Sequence, residues 1–362
     1  MSFKKKIVAV GMSGGVDSSV AAALLQREGY EVIGLSMRIY DENVKIDIAG
    51  KNACYGPGKE KDLASAKAVC ESLGMPFYVV DLRKEFTGHV IDYFRTEYLE
   101  GRTPNPCIVC NRILKFGFML EKAREAGIEF DRFATGHYAR IVEEKGKYLL
   151  KKPVDTSKDQ TYFLYSLSQA QLGSIIFPLG NYNKPDVRDI ARSMGLHTSN
   201  RPESQDFISG GDCTPFFKKE EIKEGDIINR EGTIIGKHKG IIYYTVGQRK
   251  GLGIAAPNPL YVSGIDAEKN LIIVDEQSEI MAKGLMAKDI NLISMDRLDK
   301  PVRVNVKIRV QHKPAPALLS DIGDGRMKVI FDEPQLAITP GQSAVFYDGD
   351  VVLGGGIIDR AV

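Results

Sequence analysis

The stretch Ile7-Val-Ala-Val-Gly-Met-Ser-Gly-Gly-Val-Asp-Ser-Ser19 constrains this chain more than any other. Ile7 to Val10 is an unbroken apolar run, the pattern of a strand covered on both faces. Ser13, Gly14 and Gly15 follow as a tight turn where backbone can approach a ligand closely. Asp17, Ser18 and Ser19 then open a helix through Val20-Ala-Ala-Ala-Leu-Leu25. Strand, glycine turn and helix start make a phosphate cradle, because the helix dipole and its free N–H groups favour an anion.

The loop is neither of two commoner phosphate loops. It lacks the Gly-Lys-Ser/Thr end of a Walker A loop, and Gly11, Gly14 and Gly15 have the wrong spacing for G-x-G-x-x-G. Ser-Gly-Gly-x-Asp-Ser resembles the pyrophosphate loop of the ATP pyrophosphatase superfamily, whose members split ATP between the α and β phosphates.

Alternating strand and helix patterns continue to about residue 204. Strands are expected at Glu31–Met37, Pro76–Asp81 and Arg132–Gly136, and helices at Asp62–Gly74 and Phe116–Ala126. The fold class expected is α/β, a doubly wound parallel sheet with ligands at the carboxyl ends of its strands, where Gly14, Met37 and Gly136 lie. Short strands with dense glycines predict a small β-rich domain over 205–285, with strands at 226–229, 233–236, 241–245 and 271–275. A C-terminal β-barrel is expected over 286–362, with strands near 302–311, 326–331, 343–347 and 351–358. A chain of 362 residues has room for these three cores.

Charge and cysteine usage narrow the function classes. The net charge of +2 restricts any nucleic-acid surface to a local patch. There is no run of 18 apolar residues, so no membrane partner is expected. Five cysteines, odd in number and sparse, indicate a reducing cytoplasm rather than a disulfide scaffold.

Thr103-Pro-Asn-Pro-Cys-Ile-Val-Cys-Asn-Arg112 places Cys107 and Cys110 on one turn after two prolines. Such a pair serves as a redox couple, half a metal site or a persulfide site; it also serves as two small buried side chains at a helix start. Cys54 lies in a second glycine- and proline-bearing loop, and three thiolates are the ligand set of a 4Fe–4S cluster with one open iron. Cys70, at helical spacing with Leu63, Ala66 and Leu73, reads as core, and Cys213 as incidental. His137 follows a strand, where it either orients a ligand or is structural. Ser157 to Tyr162 has the polarity of a helix cap. Gln248, Arg249 and Lys250 sit among glycines, as in a loop that closes on an anion or in a plain solvated turn. From Val302 to Lys313, apolar residues alternate with Arg303, Asn305, Lys307, Arg309, Gln311 and Lys313, giving a core face and a basic ladder.

Taken in order, Gly11–Ser18, Thr103–Pro106 with Cys110-Asn111, Ala134–Ala139, Lys158–Leu164, Glu203–Asp206 and Thr245–Leu252 resemble the tRNA-specific 2-thiouridylase family over essentially the whole chain. The resemblance implies an enzyme, a sulfurtransferase that thiolates the wobble uridine of tRNAs for Lys, Glu and Gln through an O2-adenylated base. It implies ATP on Gly11, Met12, Ser13, Gly14, Gly15, Val16, Asp17 and Ser18, with adenine near Met37 and Gly136, and Mg²⁺ on the phosphates. It implies tRNA near Thr103, Pro104, Asn105, His137, Lys158, Asp159, Gln160, Gln248 and Arg309. Cys110 matches the family nucleophile.

Two departures touch the sulfur step. The family carries Asp-x-x-Cys where this chain has Cys107-x-x-Cys110, and its second cysteine falls at Ile208. Either Cys107 replaces the missing thiol, or Cys54, Cys107 and Cys110 hold a 4Fe–4S cluster; the second accounts for Cys54 as well. The sulfur donor is expected to be a cysteine desulfurase, a sulfur-relay protein or inorganic sulfide. The competing readings are an ATP pyrophosphatase ligase that adenylates a carboxylate, indifferent to Cys110→Ala, and an ATP-regulated RNA-binding protein that releases no pyrophosphate.

Overall fold

The computed structural model describes residues 5–42, 53–201, 206–208 and 212–362. The chain divides into two compact units, the first formed by 1–90, 107–215 and 350–352, the second by 91–106, 216–349 and 353–362.

The first unit carries β1 (Ile7–Gly11), α1 (Val16–Arg27), β2 (Glu31–Arg38), β3 (Ala53–Tyr55), α2 (Lys59–Ser72), β4 (Phe77–Asp81) and α3 (Arg83–Phe86). Here α4 (Asp92–Leu99) belongs to the second unit. Next come α5 (Pro106–Val109), a π-helical segment Cys110–Phe118, α6 (Met119–Glu125), β5 (Arg132–Thr135), the hairpin β6 (Arg140–Glu144) and β7 (Lys147–Lys151), α7 (Gln169–Ser174), β8 (Ile175–Ile176), α8 (Lys184–Ser193) and β9 (Asp206–Ile208).

Five parallel strands run in the order β4-β2-β1-β5-β8. Connections leave β1 in opposite directions, so the crevice opens at the carboxyl ends of β1 and β5. Strand alternation sorts the core. Val8, Val10 and Ala134 face α1, α2 and α8, packing with Val20, Leu24, Val69 and Val187. Phe133 faces the other way, where Phe116 of the π-helical segment meets it edge-on with centroids 5.7 Å apart. Burying each valine is worth about 2 kcal/mol. Cys70 is fully buried in the first of these cores, with its thiol pushed up to about 12 by burial and then by Glu71.

The second unit holds a four-stranded sheet β11-β10-β13-β12, made of β10 (Gly225–Ile228), β11 (Ile234–His238), β12 (Tyr261–Asp266) and β13 (Leu271–Asp275). It also holds a closed barrel, β14-β17-β16-β15-β18-β19 with β19 pairing back to β14. Its strands are β14 (Met281–Leu292), β15 (Val302–Lys307), β16 (Ala315–Asp321), β17 (Met327–Leu336), β18 (Ser343–Asp348) and β19 (Val351–Ala361). Closure removes the sheet edges. The parallel sheet, the β-rich central part and the barrel are those expected from the sequence.

Three local expectations are corrected. Ile241–Tyr243 forms a 3-10 turn instead of a strand, because Gly240 at φ +146° turns the chain and accepts the Tyr243 N–H. The strand from Val302 stops at Lys307, and the ladder breaks there: Lys307 is buried and Val310 exposed. The predicted helix at Asp62 starts three residues earlier, at Lys59. Among the described residues no helix is long and apolar enough to cross a membrane.

Candidate active site

The phosphate loop lies where the strand order reverses. Gly14 adopts φ +74°, and a Cβ there would sit 2.4 Å from the Asp62 carbonyl oxygen. Gly136, just past β5, is equally constrained: its Cβ would lie 2.7 Å from the Ser18 amide nitrogen. Both glycines are therefore required by close backbone approach, which is the physical content of the motif. Hydroxyls order the turn. Ser19 Oγ donates to the Gly15 carbonyl at 2.8 Å, and Ser18 Oγ accepts from the Ser13 amide at 3.2 Å.

Asp17 opens α1 with its carboxylate held by Lys184 Nζ at 2.7 and 2.8 Å and by the Tyr138 hydroxyl at 2.9 Å. Lys184 is only 7% exposed, and a charge so buried requires such a partner. Met37 lies half-buried near the end of β2, level with the loop's end of the sheet. Sequence reasoning missed Lys184, and also Asp62, Ser65 and Arg201, which reach the loop from elsewhere in the chain. Lys184 follows the capping residue Asn183 and precedes Pro185, so locally it reads as the first turn of an ordinary helix.

The three thiols of interest belong to the same unit. Cys54 is exposed on β3; Cys107 on α5 and Cys110 at the head of the π-helical segment are half-buried. Burial raises the Cys107 thiol, and the nearby Cys54 and Cys110 raise it further, against the pull of Lys115. Burial also raises Cys110, to about 11; Lys115 and Lys59 draw it down and Cys54 pushes it up. Cys54 thus bears on both Cys107 and Cys110. Lys115 is aimed by Asn111, whose Oδ1 accepts from Lys115 Nζ at 2.8 Å while its Nδ2 donates to the Phe163 carbonyl at 3.1 Å. Gln171 Nε2 donates to the carbonyls of Arg112 and Phe116, both at 3.0 Å, groups left available by the wide π turn.

Among the described residues, no group of three or more His, Cys, Asp or Glu side chains is placed to hold a metal ion. The donor chemistry of three thiols fits an iron–sulfur site; their spacing does not. His137 is packed between Phe116 and Phe177, each 5.9 Å away, and its Nδ1 lies 2.7 Å from Thr135 Oγ1. Burial, then Lys115, holds its pKa well below the ordinary value, so it is neutral at physiological pH.

Several residues expected to meet tRNA have structural partners. In the first unit, Lys158 ends a 3-10 turn, Asp159 caps Thr161 through its amide at 2.9 Å, and Gln160 Oε1 accepts from the Tyr138 amide at 2.8 Å. In the second unit, Thr103 Oγ1 donates to Thr245 Oγ1 at 3.3 Å, and Gln342 Nε2 donates to the Thr103 and Pro104 carbonyls at 3.1 and 3.3 Å. Asn105 is buried, and Gln248 Oε1 accepts from the Thr245 amide at 3.1 Å. Thr103, Pro104, Thr245 and Gln248 are thus drawn together. A pocket of about 430 Å³ opens beside them in sequence, lined by Arg249, Leu252, Ile254, Pro257 and Leu260 among others. Arg309 donates to the Leu336 carbonyl at 3.0 Å and is tied to the barrel wall. Residues 203–205 of the quoted motifs lie outside the described residues.

Residues 6–209 match the model of the tRNA methyl transferase HUP domain, 216–276 that of the tRNA methyl transferase PRC-barrel domain, and 282–358 that of the aminomethyltransferase beta-barrel domain. The chain is 50% identical to the tRNA-specific 2-thiouridylase MnmA of Acetivibrio thermocellus, over 98% of this chain and 99% of that one. It is 47% identical to the protein of that name from Clostridioides difficile, over 99% and 100% of the two chains. It is 49% identical to tRNA-specific 2-thiouridylase MnmA 2 of Caldanaerobacter subterraneus, over 99% of each.

Proposed function

The chain belongs to the tRNA-specific 2-thiouridylase family, and from that premise we propose that it is a cytoplasmic sulfurtransferase that 2-thiolates the wobble uridine of tRNAs for Lys, Glu and Gln, using ATP. The observation that carries the reading is the meeting, in one unit, of a phosphate loop at the sheet's reversal point and the thiol-bearing elements β3, α5 and the head of the π-helical segment.

ATP lies on the loop from Gly11 to Ser18, where the helix start and loop amides favour its phosphates. Mg²⁺ bound with the nucleotide would supply neutralisation of the phosphate charge; the Asp17 carboxylate is itself taken up by Lys184 and Tyr138. The target base is taken out of the anticodon stack to reach the loop. Uridine O2 attacks the α phosphorus, the bond to the β-phosphate oxygen breaks, and pyrophosphate leaves. A donor has placed one sulfur on Cys110 as a persulfide. Its terminal sulfur attacks C2, and AMP departs with the C2–O2 electron pair. Cys107 thiolate then attacks Cys110 Sγ, leaving the thiolated base and a Cys107–Cys110 disulfide for an external dithiol to reduce. Cys54 stands by this pair as a third thiol. The spacing of the three thiols as it stands does not fit an iron–sulfur cluster.

Cys110→Ala is expected to abolish thiolation by at least ~10³-fold while ATP- and tRNA-dependent pyrophosphate release persists. Pyrophosphate release without thiolation in wild type, unchanged by Cys110→Ala, identifies a carboxylate-adenylating ligase, and no release in wild type identifies an RNA-binding protein. Anaerobic purification with iron and sulfide assays on wild type and Cys54→Ala decides the sulfur route. About four irons per chain, lost with Cys54, replace the persulfide route by a cluster.

A further inference from the structure

The Gly14 carbonyl oxygen accepts two hydrogen bonds from outside its own turn, from Arg201 Nη1 at 2.6 Å and from Ser65 Oγ at 3.1 Å. The second terminal nitrogen of Arg201 pairs with Asp62 Oδ1, and Asp62 Oδ2 accepts from Lys59 Nζ at 2.6 Å. His197 Nε2 lies 3.0 Å from Ser65 Oγ. The Lys59, Asp62 and Arg201 side chains are all about four-fifths buried, so water screens this network little.

Both chain segments that leave the network run into one strand pair. Lys59 opens α2, and only Gly56, Pro57 and Gly58 separate it from β3. Arg201 precedes β9, and β9 pairs in parallel with β3 through Ala53–Asp206 and Tyr55–Ile208. Cys54 sits between those two pairs. Tyr55 and Phe207 both stack against Phe86, at 5.1 and 6.3 Å, which fixes the strand pair to the first unit.

We propose that Arg201 is a positioning residue that registers the Cys54-bearing strand pair β3–β9 to the phosphate loop, so that nucleotide on the loop orders the thiol strand. The proposal rests on the reading of the loop as the ATP site. Phosphate drawn onto the loop amides moves the Gly14 peptide, and the guanidinium conveys that movement to Asp62 on α2, from there through Gly56–Gly58 to β3, and across the pairing to β9. The task suits a fork: two terminal nitrogens held in one rigid plane meet a neutral carbonyl and a carboxylate at fixed directions, which the single nitrogen of a lysine on its flexible stem does not reproduce. The coupling is reciprocal, so ordering β3–β9 also favours nucleotide.

Hydrogen exchange by mass spectrometry on the full chain tests this, with and without Mg²⁺ and a non-hydrolysable ATP analogue. In wild type the analogue is expected to slow exchange at 53–55 and 206–208 by about 5-fold or more; in Arg201→Gln and Asp62→Asn, saturated with analogue as followed at 13–19, by less than about 2-fold. Arg201→Lys is expected to behave as Arg201→Gln. Equal slowing in wild type and both variants overturns the proposal, as does a wild type that responds at 13–19 but not at 53–55. Full rescue by lysine overturns the fork. A wild type silent at 13–19 overturns the assignment of the loop to ATP itself.

Discussion

The phosphate loop and the thiol site lie in one unit and are built on opposite principles. The loop is shaped by backbone: glycines at 14 and 136 admit other main chain to within a Cβ's reach, and hydroxyls one turn away lock the result. The thiol site is shaped by side chains: Asn111 aims Lys115, and Gln171 braces the π-helical segment from α7. A backbone-built site fails abruptly when one atom is added. A side-chain-built site degrades by degrees, because each contact contributes a modest part of the whole.

The most severe test of that contrast is Gly14→Ala. The new methyl meets the Asp62 carbonyl at 2.4 Å in a backbone conformation hostile to L residues. The loop must shift, and pyrophosphate release is expected to fall by about 100-fold. A fall of only a few-fold would show that the loop is as adaptable as the thiol site. Lys115→Met comes next. The ammonium favours the Cys110 thiolate, so its removal moves the thiol above its value of about 11. Ionisation, and with it alkylation by iodoacetamide, rises with pH in both proteins, but at pH 8 the variant is expected to react about 3- to 10-fold more slowly. Faster reaction would reverse the assigned sign. The smallest effect belongs to Gln171→Ala, which removes a donor to two carbonyls and is expected to cost about 1 kcal/mol in urea unfolding. A loss of thiolation larger than that of Lys115→Met would mean that the brace, and not the charge, governs Cys110.

The same contrast explains what the sequence made legible. The loop was readable because its glycines are demanded by geometry and stand at fixed spacing. Cys107 and Cys110 were readable because two thiols one turn apart after two prolines have few uses. Lys184, Asp62 and Arg201 were not: each acts across more than a hundred residues, and its own neighbourhood looks like a helix end or a surface turn. The fold followed the same rule. Parallel strands announced themselves as apolar runs, whereas β14 carries Lys283, Lys288 and Asp289 through its length and hid among charged residues. The Ile241–Tyr243 run has strand composition, but Gly240 decides its path.

The π-helical segment Cys110–Phe118 can be regarded as an α-helix carrying a surplus residue in its turns. Deleting one residue between Arg112 and Phe116 would let the segment rewind as α, with α6 still seated on the sheet. Both flanks would keep their facing, because the deletion removes the residue that the wide turn absorbs; rewinding as α without the deletion would instead swing everything before it by about 100° around the helix axis and carry Cys110 to another face. The winding of this helix is thus a dial whose present setting decides which way a sulfur points.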